Sequence, residues 1–326
     1  MSNIVIIGSG SWGTALAIVL SRNKNTVFLW SKRKEHRKAM QFDRENKEYL
    51  PGIKFPNNIF ILNKPTIYFA EYIILAVPSF AFHLSLKFFS KNWKKHQKLI
   101  WVTKGFFKNG YFFSNIVNKI LGKKIFKAIL AGPSFATEVA KGLPTIVTAA
   151  GDTKHFSLQI KNLFQSKNFK VNISKDFIGI QFSSAMKNIL AIIIGIIDGI
   201  GGYGMNAKSS IITYGLAEIS KLGCALGVKQ DTIYGISGLG DLILTCLDNQ
   251  SRNRRFGILL GKGYSIKNAF KNIGGLVEGF YVVKITYNLS IKNRIYMPII
   301  HEIYQILYQK GSAKKSIKYI LKIIGK

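Results

Sequence analysis

The 326 residues are enough for two ordinary domains with a large buried core, and a hydrophobic share of 48% argues against a disordered chain. Two cysteines cannot build a disulfide framework, so a reducing compartment, the cytoplasm, is expected. The formal charge of +32 raises the prospect of a nucleic-acid or anionic-membrane partner. Its lysines are scattered singly among Ile, Asn, Phe and Tyr, however, and all of these residues have AT-rich codons, so compositional drift accounts for the excess. Neither a nucleic-acid partner nor integral membrane association is expected. The opening apolar run, Ile4 to Ile7, is too short for a signal h-region, and the longest, Ile189 to Ile197, falls short of the roughly 20 residues that span a bilayer.

The chain opens as strand, glycine turn, helix: Asn3 to Ile7, then Gly8-x-Gly10-x-x-Gly13, then Thr14 to Arg22. In that context the glycines predict a dinucleotide loop. Gly8 permits the turn, Gly10 lets the backbone approach a pyrophosphate, and Gly13 lets the helix pack on the strand. A second strand, Thr26–Trp30, ends without the acid that would bond a ribose 2′-hydroxyl. Ser31, Lys32 and Arg33 follow instead and suit a 2′-phosphate, so NADP(H) is the expected cofactor, with NAD(H) as the alternative. The competing reading is a solvated basic turn.

Short β-branched runs recur at Tyr72–Val77, Leu99–Thr103, Ala128–Ala131, Thr145–Ala149 and Phe169–Ile173, with helical or loop segments between them. This alternation predicts an α/β fold with a mostly parallel, doubly wound Rossmann-type sheet. From about Ser183 the texture turns to long segments of helical spacing: Ser183–Ile197, Ser209–Leu226, Leu239–Asp248, Arg254–Gly261, Glu278–Leu289, Met297–Leu307 and Ala313–Ile324. The expectation is a dinucleotide-binding domain over 1–182 followed by an all-helical substrate and catalytic domain over 183–326.

Four groups carry candidate chemistry. Lys104 follows a strand, where open α/β sheets bind their ligands. Lys187 precedes the long apolar run; burial would lower its pKa and ready it for proton transfer, whereas a lysine at a helix end could equally snorkel to water. Ser251-Arg-Asn-Arg-Arg255 sets three guanidiniums in five residues, which suits a phosphate or, more plainly, a charged helix face. Asp241, after Gly238-Leu-Gly, could orient a catalytic lysine or cap a helix. No His, Cys and carboxylate cluster has metal spacing, so no catalytic metal is expected, and no Gly-x-Ser-x-Gly elbow suggests a hydrolase.

Taken together, Gly8-Ser-Gly-Ser-Trp-Gly-Thr-Ala-Leu-Ala17, Thr103-Lys-Gly105, Gly132-Pro-Ser-Phe-Ala136, Lys187-Asn188, Gly238-Leu-Gly-Asp-Leu-Ile-Leu-Thr-Cys246, Asp248 to Gly257 and Val277-Glu-Gly279 resemble the bacterial NAD(P)-dependent glycerol-3-phosphate dehydrogenases. The resemblance implies reversible, nicotinamide-dependent reduction of dihydroxyacetone phosphate to sn-glycerol 3-phosphate, the backbone for phospholipid biosynthesis. It also implies the roles. Ser11, Trp12, Lys32, Ala136, Leu276 and Glu278 would contact the cofactor, and Lys104 and Arg252 both cofactor and substrate. Gly132, Ser134, Asp241, Ser251 and Asn253 would hold glycerol phosphate, and Lys187 would exchange the proton at the C2 oxygen. Leu276 stands where the family often has valine, the loop Gly201 to Asn206 is one residue longer than usual, and the position of Lys32 varies. The rival enzyme readings are a 2-hydroxyacid or ketopantoate-type reductase, against which the Ser251–Arg255 cluster speaks; an RNA- or membrane-binding protein is the rival outside enzymes. A homodimer is compatible with the sequence.

Overall fold

The computed structural model describes residues 1–107 and 110–324. The chain divides into two compact units, one of residues 1–103 and 113–177, the other of 104–112 and 178–326.

The first unit is built on ten strands: β1 (Asn3–Ile7), β2 (Thr26–Trp30), β3 (Glu45–Asn46), β4 (Leu50–Lys54), β5 (Ile59–Ile61), β6 (Tyr72–Leu75), β7 (Lys98–Trp101), β8 (Lys127–Ala131), β9 (Thr145–Gly151) and β10 (Phe169–Ile173). Eight form one sheet in the order β10-β9-β8-β7-β6-β1-β2-β5, parallel except where β8 meets β9 antiparallel; β3 and β4 pair separately. Helices α1 (Ser11–Arg22), α2 (Lys34–Asp43), α3 (Ser79–Ser90), α4 (Phe113–Leu121), α5 (Ala136–Lys141) and α6 (Lys154–Phe164) connect them. This is the α/β, mostly parallel Rossmann-type sheet expected from the alternation. β1 and β6 are wholly buried from Ile4 to Ile7 and from Tyr72 to Leu75, which is why they read as continuous apolar runs. The three-residue edge strand β5 and the β3–β4 pair carry too little periodicity to be read from sequence.

The second unit is helical: α7 (Phe177–Ile200), α8 (Met205–Ala225), α9 (Gln230–Tyr234), a π-helical turn (Ile236–Gly240), α10 (Asp241–Leu247), α11 (Arg252–Gly261), α12 (Ile266–Ile273), α13 (Glu278–Lys292), α14 (Pro298–Tyr308) and α15 (Ala313–Ile323). Residue 182, where the change of texture suggests a boundary, lies inside α7. This 24-residue helix is longer than its unbroken apolar run and is apolar enough by length and composition to cross a membrane, but that stretch is entirely buried within the protein. Nineteen consecutive residues, Gly179 to Ile197, are buried, so the apolar sequence is explained by a helix surrounded on all sides. The other long helices pack around it in one apolar core.

Candidate functional site

In the first unit the strand order reverses between β1 and β6, and the glycine loop sits at that switch point. Gly8 has φ +109°, and a Cβ there would lie 2.4 Å from the carbonyl oxygen of Ala76, just past β6. A Cβ on Gly13 would lie 2.0 Å from the Gly8 oxygen, so α1 can reach the loop only through a glycine. Gly10 caps α1 without a side-chain hydrogen bond, and a Cβ there would meet nothing within 4 Å. A helix N-terminus with uncapped N–H groups and open space in front of it is the cradle a pyrophosphate requires, and the residues fit a dinucleotide.

Around the loop lies a polar network. His36, at the start of α2, is buried. Its Nδ1 stands 3.3 Å from the Ser9 hydroxyl and 3.1 Å from that of Ser31, and its Nε2 is 3.0 Å from Asn46 Oδ1. Asn46 in turn donates to the Ser9 carbonyl and to Thr14 Oγ1, both at 2.8 Å. The Ser11 hydroxyl donates to the Tyr49 carbonyl at 2.7 Å, and the Trp12 indole nitrogen is buried without a hydrogen-bond partner among the described residues. At the end of β2 the three residues suited to a 2′-phosphate differ in their commitments. The Ser31 hydroxyl faces His36, and Arg33 pairs with Glu48 at 2.5 Å. Lys32 is exposed and, among the described residues, makes no ion pair. Gly132 approaches β9 closely, a Cβ there lying 2.9 Å from Val147 Cα; Ser134 donates to the Gly132 carbonyl at 3.0 Å, and Ala136 opens α5.

The second unit gathers three of the expected residues on one carboxylate. Asp241, wholly buried at the start of α10, accepts from Lys187 Nζ through Oδ1 at 2.5 Å and from Lys104 Nζ through Oδ2 at 2.7 Å. Lys187 also donates to Thr245 Oγ1 at 2.8 Å, and Thr245 donates to the Asp241 carbonyl. Lys187 is 8% exposed, so it does not snorkel. Burial pulls its ammonium down from the ordinary lysine value to about 7; Asp241 opposes that shift and the nearby charge of Lys104 reinforces it. Thr245 is a site residue that the sequence reading does not name. Its spacing of four from Asp241 on one helix is the signal that places both on the same face.

The arginine cluster is less uniform than its sequence suggests. Ser251 caps α11, its hydroxyl accepting from the Arg254 N–H. Asn253 donates to Asn188 Oδ1 at 2.8 Å and accepts from the Gly279 N–H at 2.9 Å. Arg254 pairs with Asp198 at 2.5 Å. Arg252 and Arg255 are exposed, and a Cβ on Gly275 would lie 3.1 Å from an Arg252 guanidinium nitrogen, so this side chain runs beside Gly275; Leu276 follows in the chain and Glu278 is the first residue of α13.

A dinucleotide loop at the switch point of a parallel sheet, joined in one chain to a helical unit with a buried lysine on a carboxylate, defines a nicotinamide-dependent dehydrogenase of two-unit design. Residues 3–157 match the N-terminal part, and residues 176–318 the C-terminal part, of NAD-dependent glycerol-3-phosphate dehydrogenase. The chain belongs to that family. It is 46% identical over 98% of its length to the glycerol-3-phosphate dehydrogenase [NAD(P)+] of Blochmanniella pennsylvanica, covering 94% of that protein. To the enzyme of the same name from Bartonella tribocorum it is 47% identical over 94% of the chain and 92% of the relative. The crystal structure of glycerol-3-phosphate dehydrogenase from Coxiella burnetii superposes with a TM-score of 0.95 at 38% identity, covering 98% of this chain and 99% of that one. A ketopantoate reductase from Ralstonia eutropha shares the fold alone, at 13% identity and a TM-score of 0.61.

Proposed function

We propose that this chain reduces dihydroxyacetone phosphate to sn-glycerol 3-phosphate, supplying the backbone of phospholipids, and that Lys187 transfers the proton. The single observation that carries the mechanism is the buried Lys187–Asp241–Lys104 cluster, in a chain of this family. The bound nicotinamide supplies the hydride that reduces C2. Negative charge then develops on the C2 oxygen, and a group poised near neutrality must deliver a proton as it does. Lys187, pulled down to about 7 by burial, is such a group. Asp241 and Thr245 accept two of its N–H bonds and leave the third hydrogen for the substrate oxygen. Lys104 adds a second positive charge on the same carboxylate and orients the reacting ligands.

In this reading Gly8, Gly10, Ser11, Trp12, Gly13, Lys32, Ala136, Leu276 and Glu278 hold NADPH. Gly132, Ser134, Ser251, Arg252 and Asn253 hold the glycerol phosphate, with Arg252 also on the cofactor. The guanidinium of Arg252 suits the phosphate by its fork of donors. Cys224 and Cys246 are both free thiols, in keeping with a cytoplasmic enzyme. The test is spectrophotometric: oxidation of NADPH that depends on dihydroxyacetone phosphate and is lost in Lys187→Met. Absence of that turnover in the folded wild-type protein overturns the reading.

A further inference from the structure

Arg254 lies in the middle of the arginine cluster, yet its side chain is spent inside the protein. Its guanidinium pairs with Asp198 near the end of α7 and with the Asn249 side-chain oxygen ahead of α11. Asp198 also takes Lys208 of α8 at 2.7 Å. One residue before Arg254, the Asn253 amide joins Asn188 of α7 to the backbone of Gly279. Two polar braces therefore tie the first turn of α11 to two separate points along α7.

Between and beyond those points the two helices meet backbone to backbone. A Cβ on Gly195 would lie 2.0 Å from the Arg254 carbonyl oxygen, and one on Gly257 2.0 Å from that of Ile192. Gly199 faces Ile258 and Gly261 faces Ile196 in the same way, each at 2.2 Å. Later residues of one helix meet later residues of the other, so α7 and α11 run in the same direction. At these four glycines the nearest atoms across the interface are backbone rather than the ends of flexible side chains, and such an interface does not deform smoothly.

The positions of the braces bear on the ligand. Lys187 immediately precedes Asn188, and Arg252 immediately precedes Asn253. We propose that Asp198 and Arg254 are positioning residues which, with the Asn188–Asn253 contact, fix the span from Lys187 to Arg252. That fixed span makes the site select ligands by the number of carbons between carbonyl and phosphate. The inference rests on the reading that Lys187 serves the carbonyl end and Arg252 the phosphate end. Neutralising Asp198 leaves Arg254 and Lys208, both largely buried, without their shared counter-charge, so the turn bearing Arg252 must shift. Lys187 keeps Asp241 and Thr245, which lie on α10 and are untouched.

The experiment measures kcat and KM of wild type, Asp198→Asn and Gly257→Ala. The substrates are dihydroxyacetone phosphate and its four-carbon homologue, with one more methylene between carbonyl and phosphate, at saturating NADPH. A displacement of about 1 Å costs up to about a hundredfold. The expected result is a fall of about ten- to a hundredfold in kcat/KM for the three-carbon substrate, mainly through KM. The preference for three carbons over four should narrow, and the pH profile of kcat should stay in place. Arg254→Lys, which keeps a charge for Asp198, should retain more of that preference than Arg254→Gln. A preference unchanged in Asp198→Asn, with only thermal stability reduced, overturns the inference, and this variant decides the matter even if Gly257→Ala does not fold. Failure of the underlying reading is separately visible: Lys187→Met would then remain active, or Arg252→Ala would lose equally on phosphorylated and unphosphorylated substrates.

Discussion

Lys187 and Asp241 meet at 2.5 Å from two different helices, and the same carboxylate holds Lys104 at 2.7 Å. One buried negative charge thus serves two ammonium groups. Its absence would leave Lys187 with burial and the repulsion of Lys104, both of which favour the neutral amine.

That balance gives the first prediction. Reduction needs Lys187 protonated, so kcat/KM for dihydroxyacetone phosphate should be level below pH 7 and decline as pH rises through about 7. Glycerol phosphate oxidation needs the neutral amine and should rise over the same range. In Asp241→Asn the influence that raises the Lys187 pKa is gone, so both limbs should move to lower pH. Profiles of kcat/KM against pH in both directions check this; a limb that stays put or moves to higher pH would show that Asp241 does not set the protonation of Lys187.

Removing the amine itself separates chemistry from binding. Lys187→Met keeps a linear apolar side chain in a buried position and should fold and bind NADPH normally. Its kcat should fall by about two or more orders of magnitude, the usual weight of general acid–base catalysis. Lys104→Met should lose more through KM, because it orients ligands. Fluorescence titration of NADPH beside steady-state kinetics tests both variants. A Lys187→Met protein with near-normal kcat would assign proton transfer elsewhere.

Much of this was legible in the sequence. The glycine triplet, the apolar strand runs and the change to helical spacing give the sheet and the helical unit, because buried parallel strands and fully buried helices leave long apolar signatures. Asp241 reads from the sequence as an acid that could orient a catalytic lysine or cap a helix, but its pairing with Lys187 in particular is not legible, since 54 residues separate the two in the chain. The arginine cluster was legible as a unit and not in its parts. Nothing in Ser251-Arg-Asn-Arg-Arg255 says that Arg254 turns inward to Asp198 while Arg252 stays exposed. Glu48, which engages Arg33, was hidden because it lies 15 residues on, beyond the strand end where an acid is sought.

The third prediction concerns the phosphate. Arg252 is exposed beside Gly275, while Asn253 and Arg254 are engaged within the protein, so Arg252 should carry most of the cluster's phosphate recognition. Losing a charge-assisted contact should cost about 2–4 kcal/mol of transition-state binding. Arg252→Ala should therefore lose kcat/KM for dihydroxyacetone phosphate by about thirtyfold or more while barely changing the slow reduction of unphosphorylated dihydroxyacetone. Equal losses on both substrates would show that this arginine does not read the phosphate.

The last prediction is about cofactor choice, where the structure sharpens the expectation from sequence. Of Ser31, Lys32 and Arg33, the serine hydroxyl faces His36 and the arginine pairs with Glu48, which leaves Lys32 as the exposed cation for a 2′-phosphate. Wild type should bind NADPH more tightly than NADH, and Lys32→Asp should narrow the gap from both sides, by losing the phosphate contact and by offering an acceptor to a ribose hydroxyl. Glu48→Gln should act in the opposite sense, because Arg33, which keeps its contact with Tyr49, then loses the carboxylate that competes with the same phosphate. The Arg33–Glu48 pair is half exposed, and such pairs are worth about 0–1 kcal/mol, so the gain in NADPH affinity should stay within about fivefold. Dissociation constants for both dinucleotides, measured by fluorescence titration in the three proteins without substrate, decide the point. Equal wild-type affinities, with Lys32→Asp changing neither, would mean that Ser31 to Arg33 is a solvated basic turn and that the discrimination between dinucleotides, if the enzyme makes any, lies elsewhere.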